Sequence, residues 1–136
     1  MMGGRWLSYL NTAAFIIETY NGSTPLHRHL FAYFKQNKQM GSSDRRWATR
    51  YIYSFFRLGH ALSKLPILQR LAIADFLCHD TLSLVVENYL PNLAPAIQSP
   101  LADKFTKIAA IYPDFKLQEV FHFNVPLSDG VDKDRK

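Results

Sequence analysis

The sequence has a single cysteine, Cys78. No disulfide can form within the chain, which excludes the disulfide-stapled secreted class and makes a reducing, cytoplasmic setting the expectation. There is no apolar run of about 18 residues, the length a helix needs to cross a bilayer, so no membrane partner is expected. The most apolar early stretch, Leu7 to Ile17, is interrupted by Ser8, Asn11 and Thr12 and followed by Glu18. It reads as a helix rather than a signal segment. Gly22, Gly41, Gly59 and Gly130 stand alone, so no glycine-rich phosphate loop is present. Neither Cys-x-x-Cys nor His-Glu-x-x-His occurs. His27 and His29 are two apart, so on a helix they face nearly opposite ways and cannot share a metal. Cys78-His79-Asp80 is the one sequence that suggests a nucleophile beside a base. Adjacent helical residues point about 100° apart, however, and Cys78 continues an apolar helix, so an inert, buried thiol is the expected state. No catalytic, cofactor-binding or metal-ligating residue is assigned, and the chain reads as a binding module. A free-standing enzyme built around Cys78 or His79 is the rival it has to be tested against.

Acid is scarce in the first half. Residues 1–64 hold nine Lys or Arg against only Glu18 and Asp44, a net of +7. Residues 65–120 hold four basic and six acidic residues, and the remaining sixteen positions are balanced at three each. A basic face joined to a neutral or acidic remainder points to a polyanionic partner. The competing explanation is an ordinary solvated surface, since a net charge of +5 suits any soluble domain.

What the chain has in quantity is apolar material. Hydrophobic residues make up 48% of its 136 residues and aromatics 14%, ample for one packed core. Their spacing is helical, with almost no strand-like alternation. A first helix is predicted from about Arg5 to Tyr20, with Leu7, Leu10, Ala14 and Ile17 inward and Gly22 ending it. Ser23-Thr24-Pro25 reads as a cap before a second helix, which carries Leu26, Leu30, Tyr33 and Phe34 inward and ends near Met40-Gly41. Ser42 or Ser43 would cap a third, with Asp44 near its positive end, running to about Leu58 at Gly59. After Lys64-Leu65-Pro66 comes a helix apolar around most of its circumference, the expected central one. Asp80 would cap a fifth, with Leu82, Val85, Val86 and Tyr89 inward, stopped by Pro91. Residues 92–98 read as a loop. Ser99-Pro100 opens a sixth, with Leu101, Phe105, Ile108 and Tyr112 inward, and 115–120 reads as one more helical piece. The expected fold is an all-α, compact bundle of about six to seven helices over residues 1–120, with 121–136 a tail or linker.

The third helix carries the functional signal. At about 100° per residue, Arg46, Arg50, Tyr53 and Arg57 fall within about 60° of one another. Trp47, Ala48, Tyr51, Ile52, Phe55 and Leu58 occupy the opposite side. No acid of the helix lies on the arginine row, and neighbouring cations about 6 Å apart repel by roughly 0.7 kcal/mol in a water-like dielectric. Phosphates would relieve that repulsion, because guanidinium grips them bidentately. Tyr53 could stack on an unpaired base or bond a phosphate. Arg28, Lys35 and Lys38 would extend the surface. The plainer alternative is that these arginines pair with acids from elsewhere in the fold. Arg45, beside Asp44, reads as such an ion-pair residue.

The stretch Gly41-Ser42-Ser43-Asp44-Arg45-Arg46-Trp47, continuing through Tyr51-Ile52-Tyr53-Ser54-Phe55-Phe56-Arg57, resembles the NusB-like RNA-binding domain. More narrowly it is similar to the N-terminal domain of the Fmu/Sun (RsmB-type) ribosomal RNA cytosine-C5 methyltransferases. That family has a Gly-Ser-x-Asp-Arg opening, an aromatic and apolar helix, and then an arginine. Leu7-Ser8-Tyr9-Leu10-Asn11-Thr12-Ala13, the Pro25-Leu26 helix, Leu71 to Cys78 and the segment around Leu127-Ser128 fit the same picture. The resemblance implies a NusB-like fold that positions ribosomal RNA for a C-terminal methyltransferase domain in cis, and a monomer is expected. S-adenosylmethionine is expected only for that further domain, and Cys78 matches none of the family's catalytic cysteines. The alternative is a protein-docking helical domain with no direct RNA contact.

Overall fold

The computed structural model describes residues 5–120, and the expected tail lies outside them. Among the described residues the structure is all-helical: α1 (Arg5–Thr19), α2 (Leu26–Gln36), α3 (Ser42–Leu58), α4 (Ile67–Cys78), α5 (Leu84–Tyr89) and α6 (Leu101–Ile111), with short 3-10 turns at Ala94–Ala96 and Leu117–Glu119. Among the described residues no helix is long and apolar enough to cross a membrane.

Helix α4 is central. Every residue from Leu71 to Leu77 is buried, as expected of a helix apolar on all sides. It packs against α3, α1, α5 and α6, and α1 also packs on α3 and α5. Inward rows of α3 (Ala48, Tyr51, Ile52, Phe55, Leu58) and α1 (Leu10, Ala13, Ala14, Ile16) close the core from one side, and Val85, Val86 and Ile108 close it from the other. Leu7 and Leu82 were expected inward and are exposed. In α1 the buried arc of Leu10, Ala13, Ala14 and Ile16 is centred between Leu10 and Ala13, about 100° from Leu7, which places Leu7 at its edge.

The helix ends correct several cap expectations. Pro25 and Pro100 themselves occupy the cap positions of α2 and α6, with no side-chain hydrogen bond from Thr24 or Ser99. Gly41, not Ser42 or Ser43, caps α3, and Asp44 Oδ2 accepts the Gly41 N–H at 2.9 Å. That closure satisfies a donor which the helix would leave orphaned. Ser83, not Asp80, caps α5; its Oγ accepts the Val86 N–H at 3.4 Å. Helix α2 stops at Gln36 rather than Met40, and Asn37 Nδ2 donates to Tyr33 O at 2.7 Å across its final turn.

Gly59 ends α3 at a φ of 66°, a left-handed conformation that glycine takes without steric cost. The connection to α4 is then pinned by Arg70. Its guanidinium lies 4.7 Å over the Phe55 ring and donates to the carbonyls of Gly59 and Ala61, each at 2.9 Å. Leu62, in the same connection, takes a φ of 55° and is buried. Left-handed backbone costs a leucine about 1–2 kcal/mol, which its burial in the core offsets.

Candidate functional site

The arginine row of α3 is divided by the fold. Arg46 is exposed, reaching only Ser43 Oγ at 3.4 Å. Arg50 is turned against α4, and this corrects the expectation of a solvent-facing row. Its Nε donates to Asp75 Oδ1 at 2.8 Å and its Nη2 to Asp75 Oδ2 at 3.2 Å. Nη1 and Nη2 also donate to Thr81 Oγ1 and Thr81 O at 3.1 and 3.0 Å, and the guanidinium lies 4.9 Å over the Trp47 ring. With its side chain 18% exposed and four hydrogen bonds made, Arg50 has little left for a phosphate. Tyr53 and Arg57 are half-buried, and neither is without a partner. The helical wheel correctly put these four side chains on one side of α3. It could not show that the end of α4 covers part of that side.

Asp75 is the centre of a buried polar cluster. It is fully buried, and Oδ2 also accepts Ser83 Oγ–H at 2.7 Å. His79 Nε2 lies 3.9 Å from Asp75 Oδ1 and 2.9 Å from Ser54 Oγ. Serine, histidine and aspartate thus meet, but not as a catalytic triad. A triad uses one imidazole nitrogen for the serine and the other for the carboxylate, whereas here both neighbours face Nε2. Ser54 is 2% exposed and bonds Arg50 O at 2.7 Å, so no substrate reaches it. Burial, reinforced by Arg50, holds the His79 imidazole below its usual range. Burial also pushes the Cys78 thiol up to about 12, and Sγ sits 3.9 Å from Ser54 O. A thiol so placed is not a nucleophile at neutral pH. Beside it, Lys104 is buried, and its Nζ donates to Phe76 O and His79 O at 2.8 Å each. That ammonium serves the negative end of α4. An open cavity of about 410 Å3 bordered by Cys78, His79, Asp80 and Lys104 therefore has its histidine and lysine already engaged, with Asp80 exposed at its edge. Among the described residues no three His, Cys, Asp or Glu stand together as metal ligands.

The other basic residues do face solvent. Arg28 and Lys35 on α2, and Lys38 just beyond it, are exposed and form no ion pair among the described residues. Between them stands Phe31, 71% exposed. Arg28, Phe31 and Lys35 are at i, i+3 and i+7, within about 60° of one another on the helix surface. Helix α2 contains no acid. Its inner row is Leu30 with the half-buried Leu26, Tyr33 and Phe34. Phe31 was not picked out from the sequence. Its signal was a phenylalanine about 100° off Leu30, flanked by cations on both neighbouring turns.

No family model, curated protein or solved structure matches the chain.

Proposed function

We propose that this is an RNA-binding helical domain whose contact surface is the basic face of α2, continued by Arg46 at the start of α3. The observation that carries this reading is Phe31, exposed between Arg28 and Lys35 on a helix without acids. An exposed phenylalanine contributes little to folding, but it offers a flat ring on which an unpaired base can stack, while the cations beside it track the backbone. The resemblance of residues 41–57 to the NusB-like domain of Fmu/Sun methyltransferases supports the same reading. In that setting the domain positions ribosomal RNA, and methyl transfer belongs to an S-adenosylmethionine domain in cis. The contact set is Arg28, Phe31, Lys35, Lys38 and Arg46; Arg50 stays within the fold.

The test is filter binding of a labelled single-stranded RNA of about 12 nucleotides over a salt series. Four neutralised phosphates give a log–log slope of about −2.8. Reversing two charges in Arg28→Glu/Lys35→Glu should weaken binding and flatten the slope by about 1.4. A slope near zero, or an unchanged affinity in the double variant, refutes the reading.

A second reading, docking to a protein partner without RNA contact, draws on Phe15 (55% exposed) and Leu7 (40% exposed) along the outer side of α1. Failure of the wild-type domain to retain RNA at low salt would give it precedence.

A further inference from the structure

A cavity of about 250 Å3 lies where the first half of α1, the end of α2 and the start of α3 meet. It is smaller than the roughly 300–1,000 Å3 of sites that enclose drug-sized ligands, and suits a single planar heterocycle. Tyr9, Tyr33 and Met40 supply its apolar walls. The Tyr33 ring is held between Phe15 and Phe34, with centroids 6.3 and 5.9 Å away. A preformed aromatic wall of this kind loses little freedom on meeting a ligand.

The polar groups are placed at the rim. Gln39 is exposed, and its carboxamide makes one long contact, Nε2 to Asn37 Oδ1 at 3.4 Å, so both its donor and its acceptor can be offered elsewhere. Asp44 Oδ2 holds the Gly41 N–H, the exposed Arg5 lies 3.7 Å from Oδ1 and the Tyr9 hydroxyl also hydrogen-bonds this carboxylate, whose remaining lone pair faces the cavity rim. Carboxamides pair with a base edge through one donor and one acceptor, and carboxylates accept from exocyclic amino groups. Lys38 adjoins Gln39 and Arg45 adjoins Asp44 in the chain, both exposed, so cations for the flanking phosphates lie on either side.

We propose that this cavity takes one unstacked, amino-bearing nucleobase of a single-stranded RNA, with Tyr9, Tyr33 and Met40 around the ring and Gln39 and Asp44 at its edge. The inference rests on the RNA-binding reading above and adds a base-selective subsite to it. Uracil, which presents a carbonyl where cytosine presents an amino group, would set one acceptor against another at Asp44.

The experiment compares labelled oligocytidine and oligouridine of about 12 nucleotides with inorganic polyphosphate, a polyanion without bases. The wild-type domain should prefer oligocytidine about tenfold. Asp44→Asn, which keeps an oxygen for the Gly41 N–H, and Thr12→Trp, which fills the cavity, should abolish that preference and leave polyphosphate affinity within about twofold. Circular dichroism checks that both variants fold; if Thr12→Trp does not, Asp44→Asn decides. Equal affinity for the two oligomers in the wild type, or a preference that survives in Asp44→Asn, overturns the subsite while leaving the basic surface standing. Failure to bind either oligomer or polyphosphate overturns both.

Discussion

Arg50 and Asp75, 25 residues apart in sequence, meet in a two-pronged ion pair at 2.8 and 3.2 Å that fastens α3 to α4. The carboxylate is fully buried and the arginine half-buried. Ser83 joins the pair at Asp75 and Thr81 joins it at Arg50, which fixes the entry to α5 as well. Removing one partner strands a buried charge, whereas removing both removes the desolvation cost too.

Arg50→Met and Asp75→Leu should therefore each destabilise the domain by about 3–5 kcal/mol. The double variant should lose clearly less than the sum. Urea unfolding of the four proteins measures the coupling, and simple additivity would show that the pair does not act as a unit.

His79 gives a pH dependence with a definite sign. Its folded pKa lies below the ordinary value of 6.5, through burial first and Arg50 second. The unfolded chain then binds more protons than the folded one as pH falls below that ordinary value, so stability is full above it and declines below it. Melting temperature should drop as pH falls below about 6.5, and His79→Gln should reduce that drop. An identical pH profile in the variant would assign the loss to other groups.

Cys78 should resist alkylation in the folded protein. Raising a thiol from 9.0 to about 12 makes the thiolate roughly a thousandfold scarcer at a given pH. Iodoacetamide labelling followed by mass spectrometry should be slow in buffer and fast in urea. Rapid labelling of the native protein would revive a nucleophilic role for this residue.

Phe31 separates binding from folding. Phe31→Ala should change stability by no more than about 0.5 kcal/mol, as exposed substitutions do, yet weaken single-stranded RNA binding by about 1–3 kcal/mol if a base stacks there. Unfolding curves and RNA titrations on the same preparation give both numbers. A large loss of stability would mean that the ring is structural.

Much of the fold was legible because it follows from local spacing. The run from Leu71 to Leu77 is apolar in every direction, and only a helix surrounded by others can satisfy it. Gly59 at the end of α3 is equally local, since its positive φ penalises any side chain. Caps were less legible. Ser42, Ser43, Asp80 and Ser83 all have capping side chains, and which one is used depends on where the next helix docks. The proposed contact surface was legible only in part: Arg28, Lys35, Lys38 and Arg46 are exposed, whereas Arg50 is consumed by a partner from another helix.

The sequence by itself determined an all-helical fold over the described residues, with a buried fourth helix and a basic first half, because periodicity and net charge are properties of the residues in order. Tertiary structure alone decided which cations remain for a ligand. Asp75 is the only acid within α4, and it becomes the partner of Arg50 only when two helices cross and exclude water between them. The same packing left Phe31 outside the core, since α2 turns Leu26, Leu30, Tyr33 and Phe34 toward its neighbours and has no second face to bury.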